Sequence, residues 1–202
     1  MSKSLGNFFT VRNAADAYGY ENIRMFMLMS HYRSPLNYSG DILLQAKSAL
    51  GRLKTAKGHL EFIATNGAEA LRESEKNFIE TLPKYRERFI EAMDDDFNTA
   101  DAVSVIFELV RESNGISAEP NPSKTFASHA LETLNELTRV LGLFYLDEGD
   151  HSLDAEIAGL IEERQAARKE KNWAKADDIR DKLMEMGIVL EDTPQGIKWK
   201  KS

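Results

Sequence analysis

The chain has 202 residues, of which 42% are hydrophobic and 29% charged, the balance of a globular protein with one or two compact domains. It contains no cysteine, which excludes disulfides, a thiol nucleophile and thiolate metal sites within it. A formal net charge of −7 argues against non-specific nucleic-acid binding through a broad basic field, and no apolar run is long enough to span a bilayer. No secretory signal is visible, so a cytoplasmic location is expected. The four histidines, His31, His59, His129 and His151, are scattered without ligand-like spacing and read as surface or packing residues.

The first stretch, Ser2-Lys3-Ser4 before Leu5-Gly6-Asn7, places one ammonium between two hydroxyls in a small, glycine-containing loop. Such a loop can close on a polyphosphate. A cation about 4 Å from a developing phosphate charge contributes roughly 4 kcal/mol at an effective dielectric near 20. From these residues alone the ordinary reading is a serine-rich chain end. Phe8 to Val11 suits an edge strand. Asn13 suits the N-cap of a short helix through Tyr18, which Gly19 would end. A helix from Glu21 to Ser30, carrying Ile23, Met25, Phe26, Met27, Leu28 and Met29, is apolar on most sides and is expected to be buried.

Pro35 interrupts the periodicity, and Ser39 then caps a long helix through about Thr65. Leu43, Ala46, Leu50, Leu53, Ala56, Leu60 and Ile63 recur at three- and four-residue steps. Lys47, Arg52, Lys54 and Lys57 cluster on this helix, where they can meet RNA phosphates or form a solvated face. Asn66-Gly67 marks a turn. The next helix, Ser74 to Met93, turns Phe78, Leu82, Tyr85, Phe89 and Ile90 inward, and Pro83 is expected to kink or divide it.

Asp94-Asp95-Asp96 lacks the alternating ligands and glycine of a calcium loop, so it reads as a turn before an Asn98 or Thr99 cap. That helix runs through Val103, Ile106, Leu109 and Val110 to Asn114-Gly115. After a loop with Pro120 and Pro122, Ser123 caps a helix with Phe126, Ala130, Leu134, Leu137 and Leu141 inward. Four long helices with short connections predict an antiparallel bundle.

Asp147 to Asp150 is a polar break. Beyond it, Asp154 to Lys171 and Trp173 to Met186 read as a helical hairpin, with Asn172 capping the second helix and Gly187 closing it. Ile188 to Asp192 and Ile197 to Lys200 read as two strands of a β-hairpin joined at residues 193–196. The fold class is mainly α.

Within the last unit, Asp177 and Arg180 share a helix face, and Trp173 lies four residues before Asp177 on the same side. An aromatic ring beside a carboxylate and a guanidinium can stack an unpaired base and read its Watson–Crick edge. Arg168, near the end of the preceding helix, can reach the same place. From spacing alone, an ordinary helix with an ion pair and an anchoring tryptophan is the commoner arrangement.

Several stretches carry a resemblance. Met1-Ser2-Lys3-Ser4 resembles the end of the KMSKS signature of class I aminoacyl-tRNA synthetases. The stretches from His31 to Ser39, Met93 to Ala100, and Arg168 to Gly196 are similar, in order, to bacterial cysteinyl-tRNA synthetases. Only Gly67 to Leu82 and Asn114 to Ser128 match poorly.

The resemblance implies three segments: 1–38, the signature loop and stem-contact fold; 39–146, a DALR-like tRNA-binding bundle; and 147–202, an anticodon-binding domain. It implies a parent enzyme that joins cysteine to tRNA-Cys using ATP, through cysteinyl-adenylate. Lys3, with Ser2 and Ser4, falls at ATP-binding positions, and Lys3 at the position that stabilises charge on the separating phosphates. Arg168, Trp173, Asp177, Arg180 and Asp192 fall at positions resembling anticodon contacts.

The first KMSKS lysine, the HIGH-containing domain and the family's zinc site are absent from the sequence. The chain is therefore expected to be a piece cut inside the signature. It should bind no metal itself, bind tRNA as a monomer, and lack aminoacylation without the missing catalytic domain. An autonomous helical module binding RNA or protein is the alternative.

Overall fold

The computed structural model describes residues 10–145, 151–169, 172–193 and 196–201. The chain forms two compact units, Met1–Tyr145 and Leu146–Ser202. In the first, the described elements are α1 (Val11–Tyr18), α2 (Tyr20–Leu28), α3 (Gly40–Asn66), α4 (Glu73–Asp94), α5 (Thr99–Ser117) and α6 (Lys124–Val140). In the second they are α7 (His151–Lys169), α8 (Trp173–Glu185), β1 (Ile188–Thr193) and β2 (Gly196–Lys201).

Helix starts follow local chemistry. Ser39, Asn98, Ser123 and Asn172 are N-caps whose side chains accept from the backbone N–H groups of Ile42, Asp101, Phe126 and Lys175. Each cap contributes about 1 kcal/mol by pairing a donor that the helix itself leaves orphaned. Thr10, not Asn13, caps α1: its hydroxyl accepts from the Asn13 N–H. Val11 is therefore the first helical residue rather than part of an edge strand; Phe8 and Phe9 lie outside the described residues. Gly19, at φ 84°, separates α1 from α2.

The bundle core runs along the expected face of α3, from Leu43 through Ile63. Met25 and Phe26 of α2, Phe78, Leu82, Tyr85 and Phe89 of α4, and Phe126 and Leu134 of α6 belong to the same cluster. Three expectations fail here. Helix α2 is only half covered: Met27 is 52% exposed, and Met29 at its C-cap is 41% exposed. Ile90 is 51% exposed, so it lies off the inward face of α4, which continues from Phe89 to the partly buried Met93. Of the kink or division expected at Pro83, the division fails, because α4 is continuous through it. Proline removes one N–H donor, but apolar anchors buried on both sides of it carry the helix through. Likewise α5 continues past Gly115 to Ser117.

Two buried carboxylates tie the bundle together. Glu75, fully buried, accepts from the Arg72 guanidinium and N–H, each at 2.8 Å, and from the Ser123 N–H at 2.8 Å. Arg72 also donates to Glu119 at 2.8 Å and to the carbonyls of Ile116 and Pro120. The loop before α4 is thereby knotted to the loop before α6, reinforced by the Ala68–Ser123 bridge. Gly67 is required by space: a Cβ there would lie 2.6 Å from the carbonyl oxygens of Ile63 and Pro122.

The second carboxylate, Glu21, is 4% exposed. It accepts from Lys54 Nζ of α3 at 2.7 Å and from the Phe144 N–H, 123 residues away in sequence. Phe144 sits at φ 66°.

In the second unit, Ile157 and Ile161 of α7, Ile179 and Leu183 of α8, and Ile188 of β1 form a separate core. Glu163 and Lys175 join α7 to α8 at 2.7 Å. β1 and β2 pair antiparallel, from Ile188 opposite Lys201 to Thr193 opposite Gly196. Pro194 and Gln195, the centre of the expected turn, lie outside the described residues.

Burial pushes the Glu75 carboxyl up, but the hydrogen bonds from Arg72 and Ser123 outweigh it and hold it below the ordinary carboxylate range. Glu108 and Glu136 are also held low, first by the guanidinium groups of Arg88 and Arg86. A carboxyl depressed in the folded state stabilises above its unfolded value, about 4.3 for glutamate, and that contribution is lost as pH falls through the folded value. Urea unfolding should therefore show stability declining below about pH 4.5, with Glu75→Gln removing part of the slope; an unchanged slope in that variant would contradict this account. Arg72→Met, which leaves Glu75 buried and uncompensated, should cost about 3 kcal/mol or more.

Candidate nucleic-acid interface

Helix α8 presents two different faces. Ala176, Ile179 and Leu183 are buried. Trp173, Asp177 and Arg180 are exposed, with Trp173 60% accessible. At about 100° of rotation per residue these three fall within roughly 60° of one another, so they form a row along the helix. Among the described residues no ion pair joins Asp177 to Arg180, so neither group is consumed by the other. A burial of Trp173 as a hairpin anchor is likewise not what the structure has.

The remaining expected residues are placed less closely. Arg168 is exposed in the last turn of α7. The Asn172 N–H donates to the Ala167 carbonyl at 2.9 Å, which holds the start of α8 beside the end of α7. Asp192 lies on β1 opposite Ile197, placed by its backbone. Ser2, Lys3 and Ser4 lie outside the described residues. The row also holds a residue that motif reading passed over: Met184, four residues beyond Arg180 and 59% exposed.

In the bundle, the cationic cluster on α3 is partly taken up by the fold. Lys54 pairs with Glu21, and Lys57 pairs with Glu61 while lying over the Phe144 ring at 5.1 Å. Arg52 lies over the Phe107 ring at 5.1 Å. Lys54 and Lys57 are thus engaged in the fold, while Lys47 and Arg52 are exposed.

The Asp94–Asp96 stretch forms a turn in which Asp96 and Phe97 take φ 55° and 53°. Asp96 accepts from the Tyr32 hydroxyl at 2.8 Å and pairs with Arg33 at 3.0 Å. The hydrogen bond to Asp96 raises the Tyr32 hydroxyl above its usual value. The acidic turn thus clasps the segment that leads into α3. Among the described residues no group of histidine and carboxylate side chains is arranged to hold a metal ion, and no helix is long and apolar enough to cross a membrane.

An exposed tryptophan that serves recognition should be dispensable for folding. Trp173→Ala should change unfolding stability by no more than about 0.5 kcal/mol, whereas Leu183→Ala, at a fully buried site, should cost about 2–5 kcal/mol. Thermal and urea unfolding of both variants checks this, and comparable losses would make Trp173 a packing residue.

Three family models match the chain in succession. The class I (C) catalytic domain of tRNA synthetases matches residues 1–48. The DALR domain matches residues 88–145. The cysteinyl-tRNA ligase anticodon binding domain matches residues 150–199, which include α8 and its exposed row. These matches, in this order on one polypeptide, assign a tRNA-recognition role to the second unit, and the chain belongs to the cysteinyl-tRNA ligase family of class I tRNA synthetases.

Proposed function

We propose that the chain is the tRNA-reading part of a cysteine–tRNA ligase and that its second unit reads the anticodon of tRNA-Cys. The observation that carries this reading is the exposed row on α8 within the residues matched by the anticodon-binding family. Trp173 stacks an unpaired base. The Asp177 carboxylate accepts from base amino groups, and the Arg180 guanidinium donates to ring nitrogens and carbonyls. Arg168 and Asp192 complete the set through their resemblance to anticodon contacts.

In the intact ligase, ATP would supply the adenylyl group that activates the carboxylate of the amino acid, with pyrophosphate as the leaving group, and Ser2, Lys3 and Ser4 would hold its phosphates. Lys3 carries the charge suited to the separating phosphates. The family's zinc site does not fit this chain, which has no cysteine, so zinc is assigned to a catalytic domain elsewhere in the ligase. A supporting observation is that Val11, Tyr20, Met27, Met29 and Leu44 are exposed apolar residues within the stretch matched by the catalytic-domain family. Exposed apolar side chains of this kind suit packing against the remainder of a catalytic domain. Without that domain, the chain binds tRNA as a cytoplasmic monomer and does not aminoacylate.

Titration with fluorescent tRNA-Cys, beside a copy whose GCA anticodon is replaced, tests the reading at two salt concentrations. The native anticodon should bind tighter, and Trp173→Ala should cost roughly 1–3 kcal/mol, the contribution of one base stacked on an aromatic ring. Equal weak binding to both RNAs that disappears with salt would reduce the interaction to phosphate attraction and sink the anticodon assignment. An ATP–pyrophosphate exchange assay with cysteine should show no turnover by the chain alone.

A further inference from the structure

The exposed row on α8 is longer than the three residues assigned to anticodon reading. Among the described residues of the second unit, the large hydrophobic side chains most open to solvent are Trp173, 60% exposed, and Met184, 59% exposed. Eleven residues of α-helix turn through about three full revolutions, so Met184 returns to within about 20° of Trp173. The sequence of groups along the row is therefore aromatic, carboxylate, guanidinium, thioether. A single exposed methionine is ordinary. One that is collinear with a reading tryptophan, and closes the opposite end of the same polar pair, is a platform.

The dimensions fit a strand of bases. At 1.5 Å rise per residue, Trp173 to Arg180 covers roughly 10 Å, about the length of three bases stacked at ~3.4 Å. Met184 lies roughly 6 Å further along, within reach of the next nucleotide. Its side chain is unbranched and polarisable, and sulfur makes favourable contacts with aromatic rings, including their edges.

The charge around the row selects bases over backbone. Asp178, Asp181 and Glu185 are all exposed on the flank of α8 adjoining the row. Phosphates are repelled from that flank, so an RNA strand must present its bases to the row and carry its phosphates elsewhere.

We propose that Met184 is a specificity-determining contact that packs against the unpaired nucleotide flanking the triplet read by Trp173, Asp177 and Arg180. This rests on the anticodon reading of the same face. The ligand class is a single-stranded RNA loop of at least four nucleotides, with the fourth base held by apolar contact.

The test uses the whole chain and a fluorescent anticodon stem-loop carrying the GCA triplet, with an abasic nucleotide placed in turn at the 5′ and 3′ flanks. Met184→Ala should weaken binding about 5- to 20-fold, with Met184→Leu near wild type, and the factor should be the same at two salt concentrations because no phosphate contact is lost. One abasic flank should weaken the wild type by the same factor and leave Met184→Ala unaffected, the signature of two changes that remove one contact. Met184→Ala binding as the wild type, or losses that simply multiply at both flanks, would overturn the proposal while a weakened Trp173→Ala leaves anticodon reading intact. If Trp173→Ala and a replaced triplet also bind as the wild type, the anticodon reading falls and Met184 falls with it. The buried positions Ile179 and Leu183 are untouched, and circular dichroism of each variant confirms that the fold is retained.

Discussion

The first unit is tied together by a buried carboxylate whose partners lie far apart in the sequence. Glu21 lies at the start of α2 and joins three parts of the chain that are distant in sequence: α2 itself, the middle of α3 through Lys54, and the chain after α6 through the Phe144 N–H. A carboxylate taken out of water is costly unless paired and hydrogen-bonded, and here it has a cation and a backbone donor. Around it, Arg24 lies over Tyr145 at 5.0 Å and Lys57 over Phe144 at 5.1 Å. Gly142 and Phe144 take φ 63° and 66°, so the chain bends sharply to bring the Phe144 N–H to the carboxylate. The conformation of Phe144 costs something on its own and is held by what surrounds it.

That junction joins the functional segments within the first unit. Helix α2 lies inside the stretch matched by the catalytic-domain family, and Phe144 lies inside the stretch matched by the DALR domain. Asp96 does similar work at another place, fastening Tyr32 and Arg33 to the α4–α5 turn. Two carboxylates, each far in sequence from its partners, thus hold the segment at residues 20–33 to the bundle. Of the α3 cations, Lys54 serves the same purpose through Glu21.

The second unit shows how one short helix serves folding and recognition at once. Ala176, Ile179 and Leu183 close the core, while Trp173, Asp177, Arg180 and Met184 stay open. Helical periodicity separates the two sets without further design. Asn172, capping α8, fixes where the row begins. Among the described residues, Ile157 and Ile161 of α7 and Ile188 of β1 pack with Ile179 and Leu183 and keep the helix in place.

The sequence by itself determined the helices and the motifs. Ser39, Asn98, Ser123 and Asn172 announced helix starts because a cap is a contact between residues three apart. The apolar steps of α3 announced its buried face for the same local reason. The row of Trp173, Asp177 and Arg180 was legible as i, i+4, i+7. What only the tertiary structure decided is which polar groups are spent. Nothing local marks Glu21 or Glu75, yet Glu21 is buried against partners 33 and 123 residues away and Glu75 against partners 3 and 48 residues away. Ile90 and Met27 read as core, yet neighbouring elements do not cover them. Periodicity states which face of a helix is apolar; it does not state how far the neighbouring helices extend over that face, or which distant cation a carboxylate meets. Those depend on long-range packing, which no local spacing encodes.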